Sequence, residues 1–159
     1  MARKRKRIAI SSGGMTPEAG ARREKIIGLN PWGGYNHNSL GCEFGEMGSW
    51  ALAASEFERA IEINPWEAMF KANLARAYVA LDRYDEAEAA ANAALDRNPQ
   101  LPLAFHALGL VSEVHGHYAK AAGWYRRCLD SGASVVIRRE VQESLELVLE
   151  RLKEQEEAG

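Results

Sequence analysis

The tripeptide Asn-Pro-Trp stands at residues 30–32 and again at residues 64–66, and a third Asn-Pro follows at residues 98–99, each copy 34 residues after the last. A fixed period of this size is the mark of an array of small supersecondary units, each unable to bury its apolar face alone and each stabilised by stacking on its neighbours. Such an array works through an extended surface. A groove is therefore the first thing to seek, ahead of a catalytic centre.

With the period at 34 the chain divides into units 34–67, 68–101 and 102–135, each with two helical stretches separated by a turn. First helices are expected at about 35–47, 69–81 and 103–115, and second helices at about 51–63, 85–97 and 119–130. Helices this short are marginal alone in water and depend on packing. The prolines close second helices, because proline cannot continue a helix and restricts the residue before it.

Aligned in this register, the units resemble the tetratricopeptide repeat, with its large residue, Leu-Gly, aromatic, Ala, aromatic and Pro. The first unit supplies His37, Leu40-Gly41, Phe44, Ala53, Phe57 and Pro65. The second supplies Lys71, Leu74-Ala75, Tyr78, Ala87, Ala91 and Pro99, and the third Phe105, Leu108-Gly109, Ser112, Ala121, Tyr125 and Ala133. An aromatic after the inter-helix turn is kept as Trp50, Tyr84 and Tyr118. His37 and Lys71 depart from the family's bulky apolar residue, Ala91 replaces an aromatic, and the third unit lacks a closing proline. Small residues at Ala53, Ala87, Ala121, Ala60 and Ala94 allow paired helices to approach closely. The resemblance implies an all-α solenoid, a right-handed superhelix of helix-turn-helix units.

The register extends beyond the three units. Thr16-Pro17-Glu18 reads as a helix start, and Ala19 and Ile26-Ile27 fall one period before Ala53 and Ala60-Ile61, so residues 16–33 are read as an N-terminal half repeat. Ser134 caps a last helix over about 135–156. Its Ile137, Val141, Leu145, Val148, Leu149 and Leu152 lie within about 120° of a helical wheel, the stripe of a helix buried on one face. Residues 136–159 are thus a capping helix with an acidic tail.

Charge separates the ends of the chain. Residues 1–33 hold eight Lys or Arg against two acids, and the rest holds twelve against twenty. The densest part, Arg3, Lys4, Arg5, Lys6 and Arg7, runs into Gly and Ser within a flexible arm over residues 1–15. Five adjacent cations suit an anionic partner, whether an acidic protein, nucleic acid or lipid.

Chemistry is sparse. No apolar run reaches the roughly 18 residues of a membrane span, no export signal follows the basic start, and Cys42 and Cys128 have no metal-type spacing, which together indicate a reduced, cytoplasmic protein. Phosphate loops, dinucleotide fingerprints and nucleophile elbows are missing. His115-Gly116-His117 falls on a turn with no third ligand near in sequence, and His37 and Cys42, five apart on a helix, point about 140° apart. No enzyme activity, metal or cofactor is expected.

Tetratricopeptide resemblance implies binding on the concave face, formed by first helices. Its groove positions here are Tyr35, Asn38, Cys42 and Glu46; then Met69, Ala72, Asn73, Arg76 and Ala80; then Leu103, His106, Leu110 and Glu113. Chaperone-binding members hold a terminal carboxylate with Lys and Asn, then Asn, then Lys and Arg; those positions are Asn38, Cys42, Asn73, Leu103 and Ala107. Only Asn73 matches and the cations are absent, so the expected ligand is an amphipathic helix or extended apolar peptide of a protein partner. Packing of Met69, Leu103 and Leu110 against the terminal helices is the competing explanation. Gly45, unexplained by the family pattern, is expected to let a partner backbone approach. The leading function is a non-enzymatic adaptor or assembly factor; the alternatives are attachment to nucleic acid or an anionic surface through the arm, and self-association into a homo-oligomer.

Overall fold

The computed structural model describes residues 33–159; the basic arm and the half repeat expected at 16–33 lie outside them, apart from Gly33. Seven helices follow in order: α1 Gly34–Glu46, α2 Trp50–Ile63, α3 Ala68–Ala80, α4 Tyr84–Arg97, α5 Pro102–Val114, α6 Tyr118–Asp130 and α7 Val135–Ala158. No described residue is in a strand. The architecture is an all-α helical solenoid. Helix starts fall one residue before the expected ones because Trp50, Tyr84 and Tyr118 are themselves the first helical residues, and Pro102 opens α5 where its missing N–H costs nothing.

The 34-residue period is visible in the backbone. Gly48, Asp82 and Gly116 occupy the left-handed region with φ of 74°, 58° and 72°. That conformation lets the amides of Ser49, Arg83 and His117 turn back to the carbonyls of Phe44, Tyr78 and Ser112 at 2.8, 2.9 and 2.9 Å. Asn64 and Asn98 end α2 and α4 with nearly equal dihedrals, φ −133° and −134°, as the prolines after them require.

Each of α1, α3 and α5 packs on its own second helix, and α3 and α5 also pack on the second helix of the unit before. Successive first helices also touch, whereas successive second helices do not. First helices therefore form the inner layer of a curved stack. Ala53, Ala87 and Ala121 are fully buried, as are Ala60, Ala94 and Cys128, so the contacts expected to need small side chains do hold them. Gly41 and Gly109 serve the same end: a Cβ on either would lie 2.6 Å from the Phe57 ring or 2.2 Å from the Tyr125 ring.

α7 begins 33 residues after α5, within one residue of the period, and sits against α6 and α5 as a further first helix. Ser134 caps it, accepting from the Ile137 amide at 3.4 Å. Val141 and Val148 are fully buried beneath it. The face that would receive another second helix, one period after Leu108, Gly109 and Ser112, holds Gln142, Glu143 and Glu146, all exposed. Polar residues there end the stack.

Candidate functional site

The inner face is open at its front and closed at its back. Along α1 Tyr35, Cys42 and Glu46 are exposed and Asn38 is half-buried; along α3 Met69, Arg76 and Ala80 are exposed, over a buried floor of Ala72 and Asn73. In α5, by contrast, Leu103 and His106 are buried and Leu110 and Glu113 half-buried. Leu103 belongs to the apolar cluster that Ile137 of α7 packs against. His106 lies beside the Tyr125 ring at 6.3 Å between centroids. Burial holds its pKa below the ordinary histidine value, with Glu140 of α7 opposing and Arg76 of α3 adding to the effect. The expected groove positions Leu103 and His106 are thus corrected to packing positions, because α7 continues the inner layer and covers them. Glu113 accepts the buried Tyr125 hydroxyl's hydrogen bond, which ties this carboxylate to the stack.

At the front, α1, α2 and α3 enclose a cavity of about 140 Å³ lined by Cys42, Gly45, Glu46, Trp50, Phe57, Asn73 and Arg76. Asn73 donates to Asn38 Oδ1 at 2.8 Å and lies 3.9 Å from Cys42 Sγ, so its amide is held as a fixed floor. Arg76 lies over the Trp50 ring, 5.5 Å from its centroid, a cation–π arrangement worth about 0.5–1 kcal/mol at an exposed site. Burial raises the Cys42 pKa; Arg76 works against this, and Glu46 and Glu43 work with it. At the groove's other end Tyr35 packs edge-on to Phe70, at 5.0 Å, and donates to Glu67 at 2.6 Å.

Trp50 and Phe57 line the cavity yet read in the sequence only as structural aromatics. The signal available was a glycine facing each ring, Gly45 for Trp50 and Gly41 for Phe57. A Cβ on Gly45 would stand 2.9 Å from the Trp50 ring; the expectation that Gly45 clears a path for a partner's backbone gives way to a close approach within the fold. His37 is buried, with Nδ1 2.7 Å from Glu56 Oε2. His115 and His117 flank the α5–α6 turn, rings 6.1 Å apart. Among the described residues no three His, Cys, Asp or Glu gather as a metal site, and no helix is long and apolar enough to cross a membrane. Arg3, Lys4, Arg5, Lys6 and Arg7 lie outside the described residues.

Comparison with known proteins agrees with this geometry. A family model described as tetratricopeptide repeat matches residues 46–111. Curated protein sequences give no match. Among solved structures, the first such domain of human RPAP3 superposes with a TM-score of 0.70 at 19% identity, covering 82% of this chain and 100% of that one. The Sgt2 domain from Aspergillus fumigatus gives 0.68 at 22% identity, covering 78% and 82%. The TPR2B domain of yeast Sti1, solved as a pHsp70 complex, gives 0.66 at 21% identity, covering 74% and 97%. Repeat period, turn geometry, family match and superposed folds converge: residues 46–111 match the tetratricopeptide repeat, and the chain has the fold of tetratricopeptide-repeat domains.

Proposed function

We propose that this protein is a non-enzymatic adaptor or assembly factor that holds a helical or extended apolar segment of a protein partner across α1 and α3. The observation that carries this reading is the contrast along the inner face. Where α7 covers α5 the groove residues are buried or half-buried, whereas Tyr35 at 59% and Met69 at 40% exposure remain open at the front of the groove. Large apolar side chains lining a concave, unfilled surface are what a helix-in-groove or extended-peptide contact uses. The Sti1 domain, solved with its pHsp70 partner, supports the reading by the use of the same fold. Tyr35, Asn38, Cys42, Glu46, Met69, Asn73 and Arg76 are assigned to the contact.

Affinity capture with the full chain tests it. Tyr35→Ser combined with Met69→Glu changes exposed groove residues and should leave helicity and melting temperature close to wild type while removing the captured partners. Partners retained at wild-type level by the folded variant would remove the groove from the account.

A further inference from the structure

Arg76 is the single cation among the groove positions of α1 and α3. Helix α3, Ala68–Ala80, contains no acidic residue to pair with it. Elsewhere Arg59, Arg83, Arg139 and Arg151 each reach a glutamate three or four residues along the chain, while Arg97 and Arg127, outside the groove, lie over aromatic rings as Arg76 does. Arg76 makes no ion pair with a carboxylate among the described residues, although the chain from residue 34 onward holds twenty acids against twelve bases. Glu46 shares its cavity and makes no ion pair among the described residues either. An exposed guanidinium near an indole, with no carboxylate partner among the described residues, is the feature of this groove that packing does not explain.

We propose that Arg76 receives an aspartate or glutamate side chain from within the partner segment, with an apolar residue farther along that segment lying over Met69. This rests on the groove reading above. A guanidinium 5.5 Å from the Trp50 ring centroid still presents N–H groups, and these match the two oxygens of a carboxylate. Charge complementarity selects the occupant: a cation with no carboxylate partner among the described residues accepts an acid. The rest of the open face is apolar or uncharged apart from Glu46, which repels a second acid beside the first. A side chain suits the site better than a chain terminus. Asn73 already donates to Asn38, so one guanidinium is the only charged donor, and the open face continues past Arg76 toward Tyr35 and Met69 on one side and Glu46 on the other, so that a segment crosses the site.

The test is selection from a displayed library of random dodecapeptides, each fused at its C-terminus so that no free carboxylate is present, on the full chain and on Arg76→Glu. The wild-type protein should enrich Asp or Glu at one fixed distance from an aromatic or aliphatic residue, and Arg76→Glu should replace that acid with Lys or Arg. For one selected peptide, Arg76→Ala and the peptide's Asp→Asn change should each weaken binding at least tenfold, and the two together little more than either alone. Arg76 is exposed, so an unchanged melting temperature confirms that the variant is folded. Selected peptides that are displaced by a bulky thiol adduct on Cys42 but show no acidic preference, or bind Arg76→Ala equally well, would overturn the acidic anchor and leave the groove reading standing. Peptides indifferent to that adduct, or the selection of none, would overturn both. Binding that requires a free terminal carboxylate would overturn the assignment to a side chain.

Discussion

Units one and three fill one position of the repeat with opposite chemistry. His37 and Glu56 fall 68 residues before Phe105 and Trp124. In unit one they form a buried polar pair at 2.7 Å. In unit three the two aromatic rings stack at 6.0 Å, and Arg127 lies 4.5 Å from the Phe105 centroid. Unit two has half-buried Lys71 and Ala90 there. The repeat thus fixes where two helices meet without fixing how. Stacked rings need only shape, whereas a buried polar pair depends on both members, since each leaves the other poorly solvated when it is lost.

The largest effect should come from breaking that pair. His37→Ala should destabilise by about 3–5 kcal/mol, read as a fall in the denaturant midpoint. His37→Leu with Glu56→Leu should cost far less than the two single changes summed, because apolar replacement of both partners leaves neither stranded. Simple additivity would show that unit one relies on packing alone, as unit three does.

Next come the close approaches. Gly109→Ala drives a methyl toward Tyr125, and Ala87→Leu overfills a fully buried contact between α3 and α4; each should cost about 1–3 kcal/mol. Gly45→Ala should cost less and shift Trp50 fluorescence, since its nearest obstacle is the rim of one half-buried ring. An unchanged melting temperature for Ala87→Leu would count against the alignment of units.

A smaller difference concerns pH at the closed end of the groove. The pKa of His106 is lowered in the folded protein, so the unfolded chain takes up a proton at higher pH than the native one. Stability is therefore lost as pH falls from the ordinary value of about 6.5 toward the lowered one. The drop in melting temperature between pH 7.5 and 5.5 should shrink in His106→Gln. An equal drop would place the titrating groups elsewhere. Least affected should be Asp82→Gly, whose relief of left-handed strain offsets added freedom in the unfolded chain to within about 0.5 kcal/mol, as thermal melts would show.

The comparison also marks what can be read without coordinates. Period, helix spans and the small buried residues were legible because 34-residue spacing repeats them three times over. Asp82 was not, since a left-handed residue is ordinarily glycine and only alignment with Gly48 and Gly116 exposes it. At the site, the front residues follow from family positions on α1 and α3. The closing of Leu103 and His106 does not, because a helix regarded as a terminal cap also continues the inner layer. Trp50 was hidden by its turn position; which side of that turn its ring faces depends on the missing side chain of Gly45.

Cys42 offers the most direct test, being exposed within the groove while Cys128, the only other cysteine, is buried. A bulky maleimide adduct on Cys42 should weaken a groove-selected dodecapeptide at least tenfold in a fluorescence-anisotropy titration, with the melting temperature unchanged. Unaltered affinity for the labelled protein would contradict the account.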